Sequence, residues 1–535
     1  MEKKYFGVML DMSRNAVMKP EQVKKFAKVI SSFGYNMIEL YTEDTYTVDG
    51  EPYFGYMRGR YTKEELKDIV SYCESIGIEV IPCIQTLAHL NQIFKWQPYK
   101  AINDTQDILL AEEERTYQLI ENMFKTLREC FTTKHIHIGM DEAHFLGLGE
   151  YMQRHGIRNR FDILNDHLAK VVEISNKYGF KPQMWSDMYF RLANNGGYYG
   201  KNINISQAVK DKVPKEVGLV YWDYYHTKQV DYNEMLKSHL EFNNDVWFAG
   251  GAWTWRGFAP NNQFTLKSMK QAMLACKKYR VENIFMTMWG DNGKETSFYS
   301  VLPSLFAIRK FYDGVTNMNV IKAEFKELTG ETFDGLAALD LLDRIVGGEG
   351  GGPNPSKYML YSDPFLGFLD STITVGGGEK YARLAKRYAR LAKQSNYDYI
   401  FQSMSKLCDL MSIKYELGRK TREVYQSGDK DALKALVADY KKAERKLQAF
   451  YVAFKKLWYT ENKPYGFEVQ DIRLGGVEKR LVACREILVD YLDGKIDKIP
   501  ELEEKLLDYY GKEEELQSVT AWLNVWSAAV SPSVV

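Results

Sequence analysis

Lys134-His-Ile-His-Ile-Gly-Met-Asp-Glu142 is the stretch on which the reading of this chain turns. Its alternation marks a short strand, and a period of two places His135, His137, Gly139 and Asp141 on one face. A strand buried in a parallel sheet should present apolar side chains, so a row of polar ones marks a place where function overrides packing. Two adjacent carboxylates at a strand end also suit proton transfer. Crowded like charges raise the pKa of one, which leaves a protonated acid beside an ionised neighbour. Glu142 is then the proton donor and Asp141 the fixed anion. The competing structural reading is an acidic pair at a helix N-terminus, favoured by the macrodipole.

Outward from this run, the first three hundred or so residues alternate short apolar runs with amphipathic stretches, as βαβ units do. Strand candidates centre on Phe6–Leu10, Met37–Tyr41, Glu79–Ile84, His135–Gly139, Pro182–Trp185, Gly218–Trp222, Val246–Ala249 and Ile284–Met288. Helical patterns separate them at Glu21–Ser32, Lys63–Ser75, Glu112–Cys130, Phe161–Tyr178, Tyr232–Phe242 and Leu266–Tyr279, with a weaker connection around Ile205–Lys210. A last helix near Leu302–Phe311 closes the set. This size and rhythm predict an α/β fold, a (β/α)8 TIM barrel, whose active site lies at the strand C-termini. An open doubly wound sheet is the competitor. The glycine run Gly347-Gly-Glu-Gly-Gly-Gly352 has no preceding strand and no following Lys-Ser/Thr, so it reads as a flexible turn and not as a phosphate loop.

Beyond Asp313-Gly314 the pattern becomes long amphipathic helices. Leu384, Tyr388 and Leu391 recur at helical spacing, as do Leu433, Leu436, Val437 and Tyr440. The expected division is a catalytic barrel over 1–315 and an α-helical C-terminal domain over 316–535. All eight histidines lie between His89 and His239, so the helices are expected to act as support or as a homodimer surface.

Lys+Arg and Asp+Glu are equal at 71 each in 535 residues, which removes the electrostatic case for nucleic acid or an acidic membrane and favours a neutral substrate. The 37 Tyr and 10 Trp supply flat faces suited to sugar rings, although most belong to ordinary packing. Six cysteines are scattered without a C-x-x-C pair, as in a reducing compartment. Met1-Glu-Lys-Lys leads directly into Tyr5–Leu10, too short for a secretory segment, and no transmembrane run is present. A cytoplasmic location is expected.

His137-x-Gly139-x-Asp141-Glu142 resembles the H-x-G-G-D-E signature of glycoside hydrolase family 20 hexosaminidases, in which the Asp-Glu pair ends the fourth barrel strand. Met140 stands where the family has its second Gly. The resemblance implies an exo-β-N-acetylhexosaminidase that removes terminal β-linked GlcNAc or GalNAc from glycans with retention, the substrate's own acetamido group acting as nucleophile. It implies no metal or organic cofactor. Arg14 would hold the sugar 3- and 4-hydroxyls and His89 would support the acid. Trp185, Trp253, Trp255 and Trp289 would wall the acetamido pocket, and Tyr224 or Tyr225 would bind the acetamido oxygen. Asp291, in Trp289-Gly-Asp291, occupies the place of a family Glu that contacts the 4- and 6-hydroxyls. Asp44 and Asp187 are further candidates for sugar binding or for orienting His89. Because the chain starts at strand one, the resemblance is to a subfamily without the small α/β domain that precedes many family barrels.

Two rival readings use the same residues. His135, His137, Asp141 and Glu142, with His89, would ligate a divalent ion in a metal-dependent lyase or isomerase. Alternatively, the barrel binds glycans without catalysis.

Overall fold

The structure is a computed structural model that describes residues 3–344, 352–511 and 525–533. Apart from Gly352, the glycine run at 347–352 lies outside the described residues.

Eight parallel strands close into a barrel: β1 (Phe6–Asp11), β2 (Met37–Tyr41), β3 (Glu79–Cys83), β4 (His135–His137), β5 (Lys181–Trp185), β6 (Gly218–Trp222), β7 (Val246–Gly251) and β8 (Asn283–Met288). Each strand pairs with its neighbours in sequence, and β1 closes on β8 with Phe6 opposite Ile284. The intervening helices are α1 (Pro20–Ser32), α2 (Lys63–Ser75), α3 (Glu114–Cys130), α4 (Arg160–Lys177), the short α5 (Asp187–Ala193), α6 (Gln207–Lys212), α7 (Gln229–Leu240), α8 (Asn262–Tyr279) and α9 (Leu302–Asp313). The TIM barrel expected from the alternation of apolar runs is therefore the observed fold. Local chemistry sets the helix starts: Pro20 occupies the first turn of α1, and Thr62 and Glu65 form a capping box at α2.

Two compact units emerge from the packing. The first comprises Met1–Ala252, Thr265–Trp289 and Ser304–Glu324, and the second Trp253–Phe264, Gly290–Pro303 and Phe325–Val535. In the second, successive long helices pack on one another: α10 (Gly377–Ala392), α11 (Asp398–Ser427), α12 (Lys430–Glu461) and α13 (Phe467–Leu492). Leu384 and Tyr388 of α10 and Leu433, Leu436 and Tyr440 of α12 are buried, as their spacing predicts. Among the described residues no helix is long and apolar enough to cross a membrane.

The barrel interior is not wholly apolar. Gln183 of β5 donates across it from Nε2 to Oε1 of Glu39 on β2 at 2.6 Å, and both side chains are fully buried. Burial pushes the Glu39 carboxyl up to about 8, against the smaller opposing pull of hydrogen bonds with Cys83 and Gln183. The unfolded chain loses this proton near 4.5 while the folded chain keeps it to about 8. Stability is therefore drained as pH rises through that window, by an amount on the order of a few kcal/mol. Glu39→Gln, which needs no ionisation, should melt above the wild type at pH 8 by a margin that shrinks toward pH 5. Thermal melts across that range check it, and a margin independent of pH would contradict it.

Candidate active site

The ladder around β4 continues past its last regular residue. Ile138 N–H donates to Gln183 at 2.8 Å, and Trp185 N–H donates to Gly139 at 3.1 Å. Beyond Gly139 the backbone twists sharply: Gly139 and Met140 both have φ of +73°, and Glu142 has +51°. A Cβ on Gly139 would lie 2.1 Å from Oε1 of Gln85, so only glycine admits the close approach of that side chain. Met140 adopts the left-handed conformation that a glycine takes freely, a strain of roughly 1–2 kcal/mol for a side-chain-bearing residue.

This turn delivers Asp141 and Glu142 to the C-terminal end of the barrel with different surroundings. Asp141 is buried, and its Oδ1 accepts from Gln85 Nε2 at 2.8 Å. Its Oδ2 lies 3.2 Å from His89 Nε2. Burial opposes its charge, but the His89 imidazolium and the hydrogen bonds outweigh it and hold the carboxyl at about 2. His89 responds in kind. Burial disfavours its charge, yet the Asp141 carboxylate raises it to about 9. Its backbone N–H donates to Asp107 at 3.0 Å, and the residue takes φ of +59°. Glu142 is more open, its side chain 39% exposed, with Oε2 3.8 Å from His89 Nε2 and Oε1 3.3 Å from Arg191 Nη2. Beside the pair stands a third carboxyl, the fully buried Asp187. Burial, reinforced by the Asp141 and Glu142 charges, pushes it to about 7 against the pull of Arg191.

Arg14 stands on the loop after β1. The Oδ1 of Asp11 accepts from Ser13 N–H at 2.9 Å and Arg14 N–H at 3.2 Å, which shapes that loop. The Arg14 guanidinium donates from Nε to Glu43 Oε1 at 3.1 Å and lies 5.8 Å from the Trp289 ring centre. Tyr41 joins these groups, donating its hydroxyl proton to Glu43 at 2.8 Å while accepting from Gln85 Nε2 at 3.0 Å. Asp44 is buried, with its Oδ1 bound to Arg58 Nη2 at 3.0 Å. Glu43, not Asp44, is the acidic side chain beside Arg14.

Trp185 and Trp289 lie with ring centres 6.1 Å apart, and Trp185 rests 4.3 Å from the His137 ring. The indole N–H of Trp289 donates to the Tyr224 hydroxyl at 3.1 Å, whereas Tyr225 is 41% exposed. Arg14, His89, Asp141, Glu142, Trp185, Tyr224 and Trp289 thus all belong to the first unit. Trp253, Trp255 and Asp291 fall in the second unit. There Trp253 and Trp255 stack at 4.5 Å, and the loop that carries Asp291 is pinned by Arg473 Nη1 on the Asn292 carbonyl at 2.6 Å.

Of the two other histidines of the motif, His137 packs on Trp185, and neither joins the cluster of His89, Asp141 and Glu142. His135 packs edge-on against Tyr5 at 5.2 Å, at the N-terminal end of β4. His137 Nδ1 accepts from Gly139 N–H at 3.1 Å, which assigns the ring proton to Nε2, and burial depresses its pKa to about 3. Of the five donors in the metal reading, only His89, Asp141 and Glu142 have ligand atoms within 4.8 Å of one another.

Gln85, Tyr41, Glu43 and Arg191 are the site residues that sequence reasoning passed over. Parity was an available signal for two of them, since Glu39, Tyr41 and Glu43 share one side of β2 and its extension.

Comparison with known families agrees with this geometry. Residues 4–230 match the model of the glycosyl hydrolase family 20 catalytic domain, and residues 332–521 match that of the glycoside hydrolase 20C C-terminal domain. A beta-hexosaminidase of Akkermansia muciniphila is 22% identical over 34% of this chain and 43% of its own length. Hexosaminidase D of Bos taurus is 24% identical over 36% of this chain and 55% of its own. Hexosaminidase D of Homo sapiens is 23% identical, over 41% and 44% respectively. The chain therefore spans about half the length of these curated relatives. With both halves of the sequence matched by models of one family, and the acidic pair standing at the end of the fourth strand of a closed barrel, this chain belongs to glycoside hydrolase family 20.

Proposed function

We propose that the chain is an exo-acting β-N-acetylhexosaminidase that releases terminal β-GlcNAc or β-GalNAc by a retaining, substrate-assisted mechanism. The observation that carries this reading is the unequal pair. Asp141 is buried and held ionised by His89 and Gln85, while its neighbour Glu142 is open to an incoming leaving group. In the first step the acetamido oxygen bonds to C1 as the C1–O bond to the leaving group breaks. Glu142 gives that oxygen its proton. Asp141 accepts a hydrogen bond from the acetamido N–H and stabilises the positive charge that builds on the resulting oxazolinium ring. In the second step water bonds to C1, its proton returns to Glu142, and the ring opens. Trp185, Trp289 and Tyr224 form the wall that excludes water and presses the acetamido group into attack geometry, with Arg14 and Glu43 as the hydroxyl-binding pair. A cytoplasmic location fits the six buried, unpaired thiols.

Incubation of the purified chain with 4-nitrophenyl β-GlcNAc and β-GalNAc tests the assignment. Release of nitrophenol from at least one of them, unchanged by EDTA, is the expected result. Silence on both glycosides favours a binding barrel, and loss of activity with EDTA favours a metal enzyme.

A further inference from the structure

The short helix α5 contributes two charged side chains to Glu142, and the mechanism above uses neither. Asp187 is fully buried, and its Oδ2 accepts from Glu142 N–H at 3.2 Å and from Arg191 Nε at 2.8 Å. Arg191, one helical turn on, reaches from Nη2 to Glu142 Oε1 at 3.3 Å and from Nη1 to the Gly196 carbonyl at 3.2 Å. The faces of Tyr198 and Trp222 each lie 5.8 Å from its guanidinium carbon. Every arm of the fork is engaged, and the side chain is only 16% exposed. One carboxylate therefore grips the backbone of Glu142, and the arginine it holds grips the carboxyl of the same residue. The pair brackets a glutamate whose own backbone sits in the disfavoured left-handed region.

We propose that Arg191, clamped by Asp187, is the positioning residue of the acid/base carboxyl: it occupies Oε1 of Glu142, so that the transferred proton travels on Oε2. This rests on the hexosaminidase reading. An oxygen that accepts from a guanidinium is a poor seat for a proton, so protonation is directed to the other oxygen. Oε2 then gives its proton to the leaving-group oxygen as that bond to C1 breaks, and takes one from water in the second step. The arrangement also sets the charge around the switch. Glu142 is faced by Arg191 and Asp187 of α5, by His89 of the loop after β3, by Asp141 and His144 of its own loop, and by Tyr224 of the loop after β6. Arg191 is the permanent cation in that set, and it favours the ionised form that the second step requires.

The test compares wild type, Arg191→Met and Arg191→Lys in the full chain, with kcat measured against pH on an aryl β-GlcNAc. Arg191→Met should lower kcat by about 10- to 100-fold through lost orientation. Removing the cation makes Glu142 harder to ionise, so the descending limb of the kcat profile should move up by about one pH unit or more. Arg191→Lys keeps the charge but lacks the fork. It should hold the limb near the wild-type position while kcat still falls by roughly 10-fold. An Arg191→Met profile that scales down without moving would reduce Arg191 to a structural ion pair and overturn the proposal. Should that variant fail to fold, a Lys variant with wild-type kcat overturns it equally. A wild type inactive on aryl β-GlcNAc and β-GalNAc would instead sink the hexosaminidase reading itself.

Discussion

Glu142→Gln is expected to lower kcat on glycosides with poor leaving groups by roughly 10²–10⁴-fold, the usual contribution of a positioned general acid. The amide is nearly isosteric, so the loss reports the proton and not the shape. Aryl glycosides with acidic phenols need little protonation at departure, and on these the first step should suffer far less. The second step still lacks its base, so an early burst of phenol should be followed by slow turnover. Rates on poor and good leaving groups, measured side by side, check this. Equal losses on both would mean that Glu142 is not the proton donor.

Asp141→Asn is expected to cost roughly 10²–10³-fold in kcat on every leaving group, because the lost interaction belongs to the charge that develops on the acetamido group. A second consequence is visible in His89. Asp141 is the group that overcomes burial and holds His89 at about 9. Without it, burial prevails and the imidazole should be neutral at pH 7. The sign of the stability effect follows. With its folded pKa raised above 6.5, His89 contributes stability that is fully present below 6.5 and lost as pH rises through about 9. That contribution should vanish in the Asn variant. Its melting temperature should therefore change less than the wild type's between pH 6.5 and 9. Thermal melts over that window, together with kcat, measure both effects. A variant with wild-type turnover would remove Asp141 from the mechanism.

The barrel was legible because strands covered on both faces read as continuous apolar runs at regular spacing, and each of the eight candidates lies on an observed strand. The acidic pair was legible for a different reason, as polar residues where packing asks for apolar ones. What the sequence hid depends on contacts between distant segments. Gln85 touches Asp141 and Met140 across more than fifty positions, and nothing local marks it as a site residue. Arg191 lies on a helix of seven residues, too short to show a periodic pattern. Tyr224 takes the bond from the Trp289 indole, and two adjacent residues of one type carry no signal in the sequence for such a difference. Asp44 was named as a candidate without regard to parity, and Arg58, fourteen residues along the chain, takes its carboxylate. Met140, the departure from the family signature, takes a left-handed backbone conformation that glycine adopts more readily.

Rates on two aryl β-glycosides that differ only at C2, one bearing the acetamido group and the other a hydroxyl, distinguish substrate assistance from a nucleophile of the protein. If the neighbouring amide is the nucleophile, kcat/KM for the hydroxyl compound should be lower by at least about 10³-fold, because a C2 hydroxyl cannot close the oxazolinium ring. Comparable cleavage of both compounds would contradict substrate assistance and assign the nucleophile to the protein.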